Sequence, residues 1–189
     1  MSHKFLTQTS FHQLLIKIDH ELAEQTRLAG CHCGGPLYDA NYPRSPFGLP
    51  EALRVHYQER YSFCCGLCRQ RTSSPSVRFF GRRWFPMPLL ILISALQMGA
   101  TESRCTKIRK LFGVVISPST WKRWRYWWRT SFPMSKFWNH AKGLFSTGHL
   151  LKGPFPHELF SLFVGGRQEN LVSVLKFLQP LTAGFFRAV

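Results

Sequence analysis

Apolar residues recur at helical spacing near the start of the chain. In SFHQLLIKIDHELAEQTRLAG, Phe11, Leu14, Leu15, Ile18 and Leu22 fall on one face. The period predicts a packing helix, with Ser10 and Gln13 as a capping box and Gly30 as its stop. The pattern then breaks. Residues 31–83 are rich in Gly, Pro, Cys and aromatics and carry no long helical period. Short strands are predicted near Pro36–Tyr38, Arg60–Phe63 and Val77–Phe80, with a short helix in PEALRVHYQER, where Pro50 suits a first turn. Helical spacing returns at Leu89–Met98. It recurs in TESRCTKIRKLFG, between Thr101 as cap and Gly113 as stop, and in SPSTWKRWRYWWRT, which Ser117 caps and Pro118 opens. Beyond Pro133, helical pieces lie in SKFWNHAKGLF, HELFSLF and LVSVLKFLQPL, around a Gly/Pro break at 153–156.

The predicted fold class is α+β, mostly α: a small ribbon of short strands followed by a helical, helix-turn-helix-like bundle. Residues 1–30 form a packing helix, 31–83 the ribbon, 84–133 the helix-turn-helix-like region and 134–189 a C-terminal helical segment. A length of 189 residues suits one domain, or two small ones sharing a surface, and 17 Phe with 6 Trp supply core material.

Cysteine spacing adds chemistry to the ribbon. Cys31 and Cys33 sit in C-H-C-G-G; Cys65 and Cys68 sit in C-G-L-C-R. Four thiolates in two close pairs can close a tetrahedral Zn²⁺ site, and glycine after a ligand cysteine lets the backbone turn its amides toward sulfur. Cys64 is an alternative to Cys65, and His32 to either upstream cysteine. The first half is C-x-C, a departure from the usual C-x-x-C. A four-cysteine site leaves no open position, so its expected role is structural. Cys105 lies inside a predicted helix and reads as a plain thiol. The opening MSHKFLTQTSFHQLL interrupts every apolar run with polar residues and does not read as a signal peptide. Clustered cysteines then read as metal ligands before disulfides.

Charge points to a partner. Lys and Arg total 25 against 9 acids, a net charge of +16. Between Cys68 and Arg129 stand 13 cations and one acid, Glu102. Such an excess repels itself unless a polyanion neutralises it, which makes nucleic acid, double-stranded DNA first, the expected partner and an anionic membrane surface the other candidate. The candidate contacts are Arg69, Arg71, Arg78, Arg82 and Arg83 behind the second cysteine pair, Lys107 and Lys110 on the second helix, and Lys122, Arg123, Arg125 and Arg129 on the third. In that third helix Trp121, Trp124 and Trp128 share one face and can pack on Ile108, Leu111 and Phe112. Lys122, Arg125 and Arg129 repeat the same spacing one step round, placed for a major groove.

Other functions fare worse. The uncharged run Trp84–Thr101 spans 18 residues, but Pro86, Pro88, Ser94, Gln97 and Gly99 interrupt it, so a buried core helix is expected and no membrane partner. No phosphate loop, dinucleotide motif or nucleophile elbow is present, and the acids do not fall in strand-like runs that seat catalytic carboxylates. The expectation is a non-enzymatic protein without a small-molecule substrate. Its rivals are a catalytic transposase remnant and an RNA-binding zinc ribbon.

Four blocks in order, CHCGGPLYDANYPRSP, SFCCGLCRQRTSSPSVRFFGRRWF, TWKRWRYWWRTSFPMSKFW and LKFLQPLT, resemble a family of uncharacterised bacterial proteins that are transposase-related. The resemblance covers roughly residues 31–182. It implies a zinc ribbon and helix-turn-helix like the front end of insertion-sequence transposases, without the catalytic domain. It further implies an accessory or regulatory DNA-binding role for a mobile element, a transposase or recombinase as partner, and a cytoplasmic, nucleoid-associated location. The chain departs from the family where the first cysteine of C-x-x-C falls on Gly30, and in its final AGFFRAV.

Overall fold

The structure, a computed structural model, describes residues 4–80, 86–88, 91, 101–113, 115–145 and 155–183; the side chains of Arg104, Lys107 and Leu111 lie outside that description. The fold is α+β and mostly helical. Its spine is α1, Thr9–Ala29. At ~1.5 Å per residue this helix runs about 30 Å, long enough to touch every part of a small protein. It ends where expected: Gly30 adopts φ +72°, and its N–H bonds the Arg27 carbonyl at 3.1 Å. Its start differs from the expected capping box. A 3₁₀ turn, Lys4–Thr7, feeds the helix directly, Gln8 takes the cap position without a side-chain bond, and Ser10 falls inside the first turn.

The buried face of α1 is also rotated from the predicted one. Phe11, His12, Leu15, Ile18, Asp19 and Ala23 are buried, while Leu14 is 39% exposed. The rotation follows from two polar residues that find partners inside. The carbonyl of Leu6 accepts from His12 Nε2 at 2.8 Å, so Nδ1 is the acceptor for the Tyr57 hydroxyl at 2.9 Å. Burial lowers the His12 pKa and keeps the ring in this neutral form.

The ribbon follows. Strands β1 (Leu37–Asp39), β4 (Ser62–Cys65) and β5 (Arg71–Ser73) form an antiparallel sheet in the order β1-β4-β5. Strands β2 (Tyr42–Pro43) and β3 (Glu59–Arg60) pair separately around the short helix α2 (Glu51–Arg54), whose cap is Pro50. Strand β5 was not predicted, and Val77–Phe80 does not form a strand beyond a single bridge between Phe79 and Pro86. The amides of that segment are engaged elsewhere. Val77 N–H donates to Asp19 Oδ1 at 2.6 Å, and Ser76 N–H donates to Thr182 Oγ1 at 2.8 Å.

These bonds belong to a buried polar node that joins three remote parts of the chain. Asp19 Oδ2 accepts from Arg78 Nε at 2.7 Å and from Ser76 Oγ at 2.6 Å. The Arg78 guanidinium continues to the carbonyls of His56 at 2.5 Å and Glu59 at 3.3 Å, over the rings of Tyr61 and Phe79. Beside it, Arg60 donates to the carbonyls of Ser74 at 2.9 Å, Thr182 at 3.0 Å and Phe79 at 3.3 Å. Arg78 was predicted as a DNA contact. It is 3% exposed and each of its three nitrogens has an acceptor, so it braces the fold and does not face a phosphate.

The helical part comprises α3 (Glu102–Phe112), α4 (Pro118–Tyr126), α5 (Lys136–Ala141), α6 (His157–Ser161) and α7 (Arg167–Leu178). Caps match their sequence signals. Ser117 Oγ accepts from Thr120 N at 3.2 Å, Ser135 Oγ accepts from Trp138 N at 3.1 Å, and Gly113 closes α3 at φ +63°. After α4 a π turn covers Trp127–Ser131, closed by Phe132 N–H to the Trp127 carbonyl at 2.8 Å. One core unites these helices with α1. Phe11, Leu15 and Ile18 join Ile108, Phe112, Trp121, Trp124, Trp128, Phe132 and Leu175. The helix expected at Leu89–Met98 lies outside the described residues apart from Ile91, which is buried in this core.

Removing one partner of a buried ion pair strands the other charge, at a cost of ~3–5 kcal/mol. Asp19→Ala is therefore expected to lower unfolding free energy by about that amount in a denaturant titration. Glu24→Ala breaks the exposed Glu24–Arg27 pair at 2.6 Å and is expected to cost less than ~0.5 kcal/mol. Equal, small effects of the two would show that the node does not hold the fold.

Candidate metal centre and the exposed face of α4

Each half of the cysteine constellation is a tight turn. In the first, Gly34 N–H donates to the Cys31 carbonyl at 2.8 Å, with Gly34 at φ +77°. In the second, Arg69 N–H donates to the Cys65 carbonyl at 3.1 Å, and Arg69 itself takes φ +59°. Both turns thus place a left-handed residue directly after their second cysteine, and the second half does so without glycine, against the usual steric preference. Pairing of β1 with β4 sets Leu37 opposite Cys65 and brings the halves together. Gly66 N–H donates to the Pro36 carbonyl at 2.9 Å across the same junction.

The four sulfurs of Cys31, Cys33, Cys65 and Cys68 all lie within 4.8 Å of one another. Cys31 and Cys68 are 3.5 Å apart, as are Cys33 and Cys65. A tetrahedron with ~2.3 Å from centre to corner has edges of about 3.8 Å, so the cluster has the size of a four-thiolate metal site. The set can hold a metal ion, and its all-sulfur character suits soft cations and not Mg²⁺ or Ca²⁺. Packing supports the same arrangement. A Cβ on Gly35 would come 2.7 Å from Cys65 Sγ and 2.9 Å from Leu67, so the site leaves room only for glycine there.

Neighbouring Cys64 and Cys65 must face opposite sides of β4. Cys65 is fully buried and turns into the cluster, whereas Cys64 Sγ turns toward the carbonyls of Arg69 and Cys65, at 3.6 and 3.8 Å. That resolves the alternative in favour of Cys65. His32 Nδ1 lies 3.5 Å from Cys31 Sγ, beside the four-sulfur set and not within it.

The thiols do not titrate alike. Amides of Cys68 and Leu67 aimed at the Cys65 sulfur bring its pKa down to about 6, against the opposing effect of burial. At Cys68 the Gln70 amide favours the thiolate, but desolvation and the sulfurs of Cys31, Cys33 and Cys65 outweigh it and push the thiol up to about 12. Cys31 is raised as well: the Cys33 amide is outweighed by burial and the sulfurs of Cys33 and Cys65. Four sulfurs this close cannot all ionise unless a cation joins them.

The candidate DNA contacts scatter into three groups. Arg69 and Arg71 are exposed near the metal centre, although Arg71 spends one Nη1 bond on the Ala40 carbonyl at 3.1 Å and lies over the Tyr42 ring. Lys110, Lys122, Arg123 and Arg129 are exposed and Arg125 is half-buried. Arg82, Arg83 and the side chain of Lys107 lie outside the described residues. Along α4 and the π turn that continues it, the two predicted faces differ in exposure, with Trp121 bordering both. Trp121, Trp124 and Trp128 are 3%, 4% and 1% exposed, while Lys122, Arg125 and Arg129 line a surface concavity of about 390 Å³ with Tyr126. Tyr126 was not among the predicted contacts; its spacing from Lys122, one helical turn on, was the signal that could have found it.

Metal binding must expel the protons of Cys31 and Cys68, so affinity rises with pH and metal is released as pH falls. Cys65→Ser and Cys68→Ser are expected to abolish metal co-purification, measured by elemental analysis, while Cys64→Ser retains it. Loss of metal in Cys64→Ser, or its retention in Cys65→Ser, would contradict the ligand assignment.

Among the described residues no helix is long and apolar enough to cross a membrane. Comparison of the chain with protein-family models, curated proteins and solved structures returns no match.

Proposed function

We propose that the chain is a zinc-stabilised DNA-binding protein. In this reading, which the resemblance of its sequence blocks supports, it is an accessory or regulatory protein of a mobile element, acting at the bacterial nucleoid with a transposase or recombinase and without catalysis of its own. The observation that carries the DNA-binding reading is the division of α4 into two faces. Three buried tryptophans lock one side into the core, and three cations stand on the other in a chain of net charge +16. Locked from behind, the backbone that carries these cations needs no ordering on meeting a row of phosphates.

Zinc supplies structure in this reading. Four thiolates fill its tetrahedral shell and leave no position for water or substrate. Its work is to hold the turns at Cys31–Gly35 and Cys65–Arg69, which set where Arg69 and Arg71 leave the surface.

Binding to duplex DNA is expected to weaken steeply with salt, by about 0.9 in log affinity per log salt for each phosphate engaged. Fluorescence anisotropy of the parent and of a Lys122→Ala/Arg125→Ala/Arg129→Ala variant across a salt series tests this. The variant should lose roughly one unit of slope per contact removed. A weak, salt-independent signal from the parent would overturn the proposal.

A further inference from the structure

We infer that the exposed face of α4 holds one unstacked nucleotide against the ring of Tyr126. The inference rests on the DNA-binding reading and names the form of DNA that this face prefers. Lys122, Arg125 and Tyr126 recur at i, i+3 and i+4 on α4, Arg129 follows on the π turn, and all four line the same hollow. Tyr126 is 64% exposed in the middle of it and makes no hydrogen bond or ring contact among the described residues.

The hollow has the size and chemistry of a nucleotide site. Its volume of about 390 Å³ falls in the ~300–1,000 Å³ range that holds small ligands. Pro118, Trp121 and Tyr126 give it apolar walls, and the three cations stand at its rim. Trp121 also lines the hollow but is 3% exposed and belongs to the core, so Tyr126 is the residue that offers an open aromatic face there. Between Glu102 and Glu158 the sequence contains no acid, so no carboxylate from this stretch neutralises the rim.

A continuous duplex satisfies the cations but not the ring, because its bases are stacked on one another and show only their edges. A nucleotide outside the stack offers a flat face for Tyr126 and a phosphate for the rim at once. DNA with an unpaired segment should therefore bind more tightly than the same DNA fully paired.

The test compares a blunt duplex with the same duplex carrying an oligothymidylate tail, by anisotropy at one fixed salt concentration, for the full chain and for Tyr126→Ala and Tyr126→Phe. The parent is expected to prefer the tailed duplex by on the order of tenfold or more. Tyr126→Ala should abolish the preference, so that this variant binds tailed and blunt duplexes alike, while Tyr126→Phe keeps it. No preference in the parent, a preference that survives Tyr126→Ala, or a phenylalanine variant as weak as the alanine one would overturn the inference and leave the DNA-binding reading standing. A parent that binds neither duplex overturns both.

Discussion

The cysteine end of the ribbon has little burial of its own: a second ribbon cluster, Leu49, Leu53, Tyr57 and Phe79, is a separate one, and among the described residues the cluster around the cysteines comprises Ala23, Cys31, Leu37, Phe63 and Cys65, with Tyr61 packed against it and Ala23 lent by α1. Strands of two to four residues contribute few ladder bonds. Fixing each residue costs roughly 1–2 kcal/mol of backbone entropy, which so small an apolar cluster does not offset. Two of its five buried members are metal-site sulfurs. The four sulfurs gather where these turns meet and can hold a metal ion; coordination would clamp the turns at Cys31–Gly35 and Cys65–Arg69 and brace β1 against β4.

Asp19 ties the ribbon to the rest of the molecule. Its carboxylate, 57 to 59 residues before its partners in sequence, takes the amide of Val77, the hydroxyl of Ser76 and the guanidinium of Arg78. Arg60 and Thr182 continue the network to the end of the described chain. Because α1 carries Phe11 and Leu15 into the helical core and Ala23 into the ribbon cluster, one helix joins both parts. Any nucleic acid spanning Arg69, Arg71 and the α4 stripe would thus meet two surfaces held by a common, buried set of bonds.

Much of this was legible in the residues. Gly113, Ser117 and Pro118 marked helix ends through local chemistry, which needs no tertiary information, and Thr101 takes the expected cap position without a side-chain bond. The tryptophan spacing in α4 predicted its buried face, and paired cysteines predicted the cluster. Failures came where a polar residue was satisfied by something distant. Asp19 and His12 turned the α1 face because Arg78 and Tyr57 lie far along the chain. Arg78 read as a phosphate contact since charge alone does not reveal a buried carboxylate. β5 was missed because Arg71-Thr72-Ser73 carries no apolar alternation and depends on β4 for its pairing. The ambiguity between Cys64 and Cys65 needed only the β4 register, which sequence does not supply.

The account turns on one sphere of ligands, so the most direct measurement is X-ray absorption at the zinc edge of the purified, full-length protein. Four sulfur scatterers at ~2.3 Å and no light-atom neighbour are predicted. A shell with nitrogen or oxygen in place of sulfur, or no zinc edge at all, would contradict it.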